Sequence, residues 1–151
     1  MRPSTKFSTA VHICIYLNHT QEDIVSSSSI ADSVKTNPVV IRRLIHDLRV
    51  NGIIASTSGS KGGFYLNKPA SELSLWDIYL ATREEELFKR PKPNPDCVVS
   101  SNLKMLVHDS FIEAENSMKT VLSKVTIADM ENNLINILGM DTAPEAIIKG
   151  K

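Results

Sequence analysis

The sequence predicts a mainly α-helical fold with one small β-hairpin, and three observations support this. Apolar residues recur at helical spacing through most of the chain. Two short β-rich segments flank a stretch of serine and glycine after the third helical pattern. A later segment spaces its apolar residues by alternating steps of four and three, which is typical of a long helix that packs against another. The 151 residues, with 42% hydrophobic and 23% charged content, fit one soluble globular protein.

The first two helices are short and amphipathic. The second follows a serine run, residues 26–29, whose hydroxyls can cap it, and Ser29 with Asp32 resembles a capping box. The apolar stripe of the first helix comprises Phe7, Ala10, Val11, Cys14 and Leu17. That of the second comprises Ile30, Ala31 and Val34.

The third helix has the clearest boundaries. Asn37 can cap it, and Pro38 suits its first turn, where a missing N–H costs nothing. Gly52 stands where a left-handed residue would end the helix. The predicted core stripe is Val40, Ile41, Leu44, Ile45 and Leu48.

A β-hairpin follows the third helix. Residues 53–55 and 64–66 are β-rich, and the Ser/Gly segment 56–63 between them forms the predicted tip. Three short helices followed by a hairpin is the order of a winged helix-turn-helix. We therefore assign residues 1–68 to a winged-helix domain, and residues 69–97 to a further helix, opened by Ser74 and Asp77, with a proline-rich connector.

The region after the connector predicts a dimer. Its 4-3-4-3-4 seam would cover a long partner helix, and a second copy of the chain is the simplest source of one. Packing of the seam within the same subunit is the alternative. We assign residues 98–139 to dimerisation helices and residues 140–151 to a flexible tail. The seam comprises Val107, Phe111, Ala114, Met118, Val121 and Val125.

The distribution of charge distinguishes the two halves, although the whole chain has a formal net charge of zero. Residues 1–68 hold eight basic and four acidic side chains, a net charge of +4, so the remainder carries −4. A basic half joined to an acidic half is typical of a nucleic-acid-binding module with a separate assembly region. Chance asymmetry on solvated faces is the alternative.

The outer face of the third helix is the candidate for base recognition. Val39, Arg42, Arg43 and His46 lie opposite the core stripe, and arginine can donate two hydrogen bonds to guanine in the major groove. An ordinary solvated face would also accommodate two arginines. The position of the Gly-rich hairpin tip, with Lys61, directly after this helix favours the DNA-binding interpretation.

Catalytic and metal-binding patterns are missing from the sequence. No nucleophile elbow, phosphate loop, HExxH motif or dinucleotide fingerprint occurs, so we expect neither an enzyme nor a cofactor. Cys14 and Cys97 are too few for a disulfide framework or a four-ligand zinc site. Cys14 lies on a core stripe, whereas Cys97 lies near a helix start and near Lys89, Arg90 and Lys92, which favour a reactive thiolate. Cys97 is therefore a candidate redox-sensing residue, with a purely structural role as the alternative.

Four segments together resemble the Rrf-type family of bacterial winged-helix regulators, the IscR, NsrR and CymR kind. The resemblance is closest to the YwnA-like members, which share the start Thr36-Asn37-Pro38. It implies a cytoplasmic homodimeric transcription regulator, usually a repressor, whose partner is double-stranded operator DNA and not a membrane. The four segments are residues 6–12, 33–44, 48–54 and 59–66.

Two departures from the family pattern change what is expected. Many relatives hold an iron–sulfur cluster through three cysteines near the start of the long helix, whereas residues 96–104 contain only Cys97, so no such cluster is expected. Many relatives also have an arginine before the first wing glycine, where this chain has Ser58, which leaves Lys61 as a weaker substitute. The predicted DNA contacts are Lys6, Ser28, Ser29, Thr36, Asn37, Val39, Arg42, Arg43, Arg49, Lys61, Gly62 and Gly63.

Two alternatives from other functional classes remain at this point. A winged helix that binds a protein instead of DNA is the first, and an enzyme with Cys97 as nucleophile is the second. The basic third helix and hairpin tip favour DNA, and no base for Cys97 is evident. The effector is open between an oxidant and a small molecule.

Overall fold

The computed structural model describes residues 5–20, 24–59 and 62–139, so Lys61 and the predicted tail 140–151 lie outside the described residues. The mainly α fold with one hairpin is confirmed. A 3₁₀ turn at Ala70–Glu72 precedes the fourth helix. The elements are α1 (Lys6–His19), α2 (Ser27–Val34), α3 (Pro38–Val50), β1 (Ile54–Thr57), β2 (Gly63–Leu66), α4 (Leu75–Thr82), α5 (Val98–Leu122) and α6 (Ile127–Leu138).

Local caps fix the starts of α2 and α3. Asn37 caps α3 as predicted, because its Oδ1 accepts a hydrogen bond of 2.8 Å from the Val39 N–H. The predicted capping box of Ser29 and Asp32 is wrong. Ser26 is the cap of α2, and its Oγ accepts a hydrogen bond of 3.0 Å from the Ser29 N–H. Any serine of the run could cap a helix, and tertiary packing selects the first.

The core lies between α1, α2, α3 and the hairpin. Three members of the predicted α1 stripe are buried, namely Ala10, Cys14 and Leu17. The predicted α3 stripe is correct except for Val40, which is 47% exposed because it lies in the first turn, on the outer side of the helix. The fully buried large side chains of this part include Ile13, Ile30, Ile41, Leu48 and Ile53.

The hairpin pairs β1 with β2 in antiparallel register, from Ile54 opposite Leu66 to Thr57 opposite Gly63. Val25, which precedes α2, forms a bridge to Phe64 and extends the sheet edge. A Cβ added to Gly63 would lie 2.3 Å from Ile24 Cγ2 and 2.7 Å from the Val25 carbonyl oxygen. Glycine is therefore required at this position by the close approach of the 24–25 segment.

The helices α4 and α6 begin with matching capping boxes and lie against the winged-helix core. Ile127, the first residue of α6, is fully buried, and its N–H donates a 2.9 Å hydrogen bond to the Leu73 carbonyl. The helix α6 packs against α1 and the 3₁₀ turn. The helix α6 therefore packs on the winged-helix part of the chain, and the assignment of residues 98–139 to dimerisation remains a prediction.

The helix α5 contrasts with the rest of the fold, since none of its 25 residues is buried. The connector covers one site on it, where the Phe88 and Phe111 rings stack with centroids 4.4 Å apart. The predicted seam is thus partly covered from within the chain, and Val125 lies beyond the end of α5. The most exposed apolar side chains of α5 are Val98, Val99, Met105, Leu106, Ile112 and Val121.

Candidate nucleic-acid interface

The outer face of α3 is created by the burial of its other face. Ile41, Leu44, Ile45 and Leu48 point into the core, so residues a half-turn away must point outward. The exposed residues of this outer face are Val39, Val40, Arg42, Arg43, His46 and Arg49. Cationic and small apolar side chains thus alternate on one accessible helical surface.

A groove of about 710 Å³ beside this face brings four of the predicted contact residues together. Lys6 reaches it from α1, while Val39, Arg42 and Arg43 line it from α3. The end of α4 forms the opposite wall and contributes Arg83. Sequence reasoning missed Arg83, because only the packing of α3 against α4 places it next to the arginines of α3.

The electrostatics of the groove favour a polyanion. Within the described part of the chain, neither Arg42 nor Arg43 has a carboxylate within ion-pair distance, so both guanidinium groups are available to an external acceptor. Lys6 is different, because it forms an ion pair with Glu84 at the rim of the groove. A phosphate that binds Lys6 would have to compete with this carboxylate.

Four further predicted contact residues lie at or next to the starts of α2 and α3. Ser28 and Ser29 are exposed in the first turn of α2, and the Ser29 hydroxyl is 2.9 Å from that of Ser26. Thr36 is half-buried, and Asn37 is exposed but commits its side-chain oxygen to the cap of α3. The free N–H groups of such helix starts suit phosphate oxygens.

Packing within the hairpin explains two of its glycines. Gly63 is buried, and a Cβ at Gly62 would lie only 2.5 Å from the Thr57 carbonyl oxygen. Both glycines are therefore explained by packing within the hairpin and need no approach to a sugar-phosphate strand. Their contact with DNA remains a prediction, as does that of Lys61.

The two cysteines have different environments. Cys14 is fully buried, and burial raises the pKa of its thiol to about 12. Cys97 is exposed and occupies the N-cap position of α5. Two of the three cationic side chains expected beside it are directed elsewhere, since Lys89 pairs with Glu85 at 2.6 Å and Arg90 lies over the Phe111 ring. The redox role of Cys97 therefore rests on its exposure and its position at the helix start.

The family model named Rrf2, described as "Iron-dependent Transcriptional regulator", matches residues 3–133. The chain belongs to the Rrf2 family. It is therefore a transcriptional regulator with a DNA-binding winged-helix fold. In the described part of the chain, no helix has both the length and the apolar character needed to cross a membrane.

Three relatives illustrate this membership. The Bacillus subtilis (strain 168) protein YwnA, named as a candidate HTH-type transcriptional regulator, is 33% identical over 133 residues, which cover 87% of this chain and 98% of YwnA. The regulator IscR of Serratia proteamaculans is 27% identical over 115 residues, which cover 76% of this chain and 69% of IscR. The structure of a candidate transcriptional regulator from Lactobacillus plantarum superimposes on this one with a TM-score of 0.72 at 26% identity. The superposition covers 89% of this chain and 95% of the Lactobacillus protein.

The family description names iron, but the residues of this chain do not fit an iron–sulfur cluster. Such a cluster needs several thiolate or histidine ligands. Cys14 is enclosed in the core and Cys97 is exposed at the start of α5. Among residues 5–20, 24–59 and 62–139, no three His, Cys, Asp or Glu side chains are grouped to hold a metal ion. No step of the function proposed below depends on iron.

Proposed function

We propose that this Rrf2 regulator acts in the cytoplasm as a homodimer that binds a specific operator and represses transcription, with α3 in the major groove. The observation that carries the proposal is the exposed pair Arg42 and Arg43 on the outer face of α3, which forms no ion pair with any residue that the structure describes. A dimer that occupies a promoter excludes polymerase, and repression is the mode that the family resemblance implies.

Direct reading of bases follows from the chemistry of this face. Arginine donates paired hydrogen bonds to guanine O6 and N7, and small apolar side chains contact the methyl group of thymine. Val39 and Val40, 49% and 47% exposed, flank the arginines on α3. The preferred half-site should therefore combine guanine with neighbouring thymine.

Phosphate contacts fix the orientation of α3 without specifying sequence. Lys6 lines the groove beside α3, Arg49 is exposed in the last turn of α3, and Ser28 and Ser29 are exposed at the start of α2, so these residues suit this role. Lys61, which lies outside the described residues, is expected to add a further phosphate contact from the hairpin.

The long helix α5 supports a dimer. A helix of 25 residues with no buried side chain leaves large apolar groups in water. Met105 and Leu106 are 80% and 69% exposed, so they are accessible to a second copy. The accessible part of the predicted seam, Ala114 and Val121, offers a second apolar surface on another side of α5. Pairing of α5 with its copy would place two α3 helices on one face of DNA.

The double variant Arg42→Ala/Arg43→Ala tests the DNA-binding surface. Each lost base contact should cost about 1–3 kcal/mol, so binding should weaken by roughly thirtyfold or more. The probe is DNA that the unmodified protein selects from a random library, and the measurement is fluorescence anisotropy.

A matched control removes two positive charges elsewhere. Lys104 and Lys119 are exposed on α5, and Lys104→Ala/Lys119→Ala should keep nearly full affinity. Equal affinity of the folded arginine variant and the unmodified protein would show that α3 does not recognise DNA. Failure of the unmodified protein to enrich any sequence would leave the protein-binding winged helix as the better description.

A further inference from the structure

A cavity of about 310 Å³ lies between the connector and α5, distinct from the groove beside α3. Its walls combine aromatic rings with charges of both signs. The residues that define its chemistry are Arg83, Glu86, Phe88, Arg90, Phe111 and Glu115.

The aromatic part of the cavity is formed by two stacked rings. The Phe88 and Phe111 rings stack at an interplanar angle of 24°. The Arg90 guanidinium carbon lies 5.6 Å from the Phe111 ring centroid, which is cation–π distance. An apolar group therefore meets a preformed aromatic surface beside a positive charge.

The charged part of the cavity lacks internal neutralisation. In the described residues, Arg83, Glu86, Arg90 and Glu115 form no ion pair with one another or with any other side chain. Nε of Arg90 is enclosed, and none of the described residues accepts a hydrogen bond from it. Arg90 is only partly buried and lines the cavity, so a carboxylate bound there would meet a guanidinium group that forms no ion pair with any described side chain.

We propose that this cavity binds a zwitterionic α-amino acid with an apolar side chain. The carboxylate accepts hydrogen bonds from Arg90, the ammonium donates to both Glu86 and Glu115, and the apolar side chain contacts the Phe88 and Phe111 rings. A simple anion would face two uncompensated carboxylates, and a simple cation would face two arginines. A molecule that carries both charges close together satisfies both pairs.

Arg83 couples ligand binding in this cavity to DNA binding at the groove beside α3, and this step rests on the proposed function. Its side chain lines both the cavity and the groove beside α3. A carboxylate in the cavity attracts Arg83 away from the groove, which removes positive charge from the DNA-binding side. Amino-acid binding should therefore weaken DNA binding.

The binding step is tested on the full chain without DNA, by titration calorimetry with L-leucine, L-methionine and L-phenylalanine. At least one should bind the unmodified protein. The analogues 3-phenylpropionate, which lacks the ammonium, and phenethylamine, which lacks the carboxylate, should bind at least about tenfold more weakly than L-phenylalanine. Equal binding of either analogue, or no heat with any amino acid up to about 10 mM, would overturn the proposal.

Matched substitutions locate the site. Arg90→Gln should weaken binding by about tenfold or more, whereas Lys89→Gln, the same charge change at the neighbouring residue outside the cavity, should not. Glu115→Gln and Glu113→Gln form a second pair on α5, which decides the question if Arg90→Gln does not fold. Unchanged affinity in both folded cavity variants would place the amino acid elsewhere.

The coupling step is measured separately by adding the amino acid that binds to the protein–DNA complex. DNA affinity should fall by at least about threefold, and Glu115→Gln should respond less. Calorimetric binding with no change in DNA affinity would retain the site and reject the coupling. Loss of DNA binding by the unmodified protein would contradict the proposed function and leave the calorimetric result valid.

Discussion

At the scale of single residues, burial separates the two thiols. Cys14 is fully buried with its pKa raised to about 12, whereas Cys97 is exposed at the start of α5. The thiolate is the reactive form, so an oxidant should modify Cys97 and leave Cys14 intact.

The redox role of Cys97 predicts a specific loss of DNA binding. Hydrogen peroxide should oxidise Cys97, and the added group at the junction of the connector and α5 should weaken binding by the unmodified protein. Cys97→Ser should be insensitive, with DNA affinity before and after treatment as the measurement. Identical responses of the two proteins would exclude a thiol switch at this residue, and labelling of Cys14 in the folded protein would contradict its burial.

His12 predicts a pH-dependent stability. Its Nε2 lies 2.9 Å from the Ser33 hydroxyl, and partial burial against α2 lowers its pKa. The unfolded chain binds a proton more readily in this range, so the free energy of unfolding should decrease as pH falls below about 6.5. The contribution is fully present above that pH.

Urea unfolding at about pH 7.5 and about pH 5.5 measures this effect. His12→Gln should reduce the loss of stability between the two values. His108→Gln, at an exposed position of α5, should leave the loss unchanged. If both variants retain the full pH dependence, His12 is not its source.

At the scale of elements, α5 carries the assembly prediction. Met105→Glu/Leu106→Glu puts two charges on its exposed apolar face, so the proposed homodimer should dissociate to monomers. Lys104→Glu adds an acid next to these positions without removing an apolar group and should remain dimeric. Sedimentation equilibrium at micromolar concentration distinguishes the states. A monomeric unmodified protein, or a dimeric double variant, would contradict pairing through this face.

Local chemistry made most element boundaries predictable. The Asn37-Pro38 start of α3, the Ser74 and Asp77 capping box of α4, and the left-handed Gly52 after α3 each depend on neighbouring residues alone. The choice of Ser26 as the cap of α2 was not predictable, because several adjacent serines offer the same oxygen.

Long-range packing accounts for what the sequence did not predict. The docking of α6 on α1 buries Ile127, yet nothing local distinguishes that residue from the exposed Ile137 of the same helix. Arg42 and Arg43 were found from helical spacing. Arg83 joins them in the groove only because α4 packs against α3, and Arg90 reaches Phe111 only because the connector folds back on α5.

At the scale of the whole molecule, the proposed functions occupy different regions of one fold. The basic face of α3 lies on the winged-helix core, and the apolar face of α5 extends beyond it. The aromatic and charged cavity lies between connector and α5, and Arg83 is common to the cavity and the α3 groove. A ligand in the cavity would thus act near both the DNA-binding and assembly surfaces.

Two-fold assembly through α5 predicts the symmetry of the operator. Two α3 helices related by a two-fold axis read the same bases in opposite directions, so selection from random DNA should enrich an inverted repeat. Its half-sites should be about 10–10.5 base pairs apart, or a multiple of that spacing, because both helices must enter the groove from one side. Selection with Met105→Glu/Leu106→Glu should enrich only a single half-site, with lower affinity, since its α3 is unchanged. An asymmetric motif with the unmodified protein, or an inverted repeat of full affinity with the monomeric variant, would show that α5 does not determine how the two reading helices are placed.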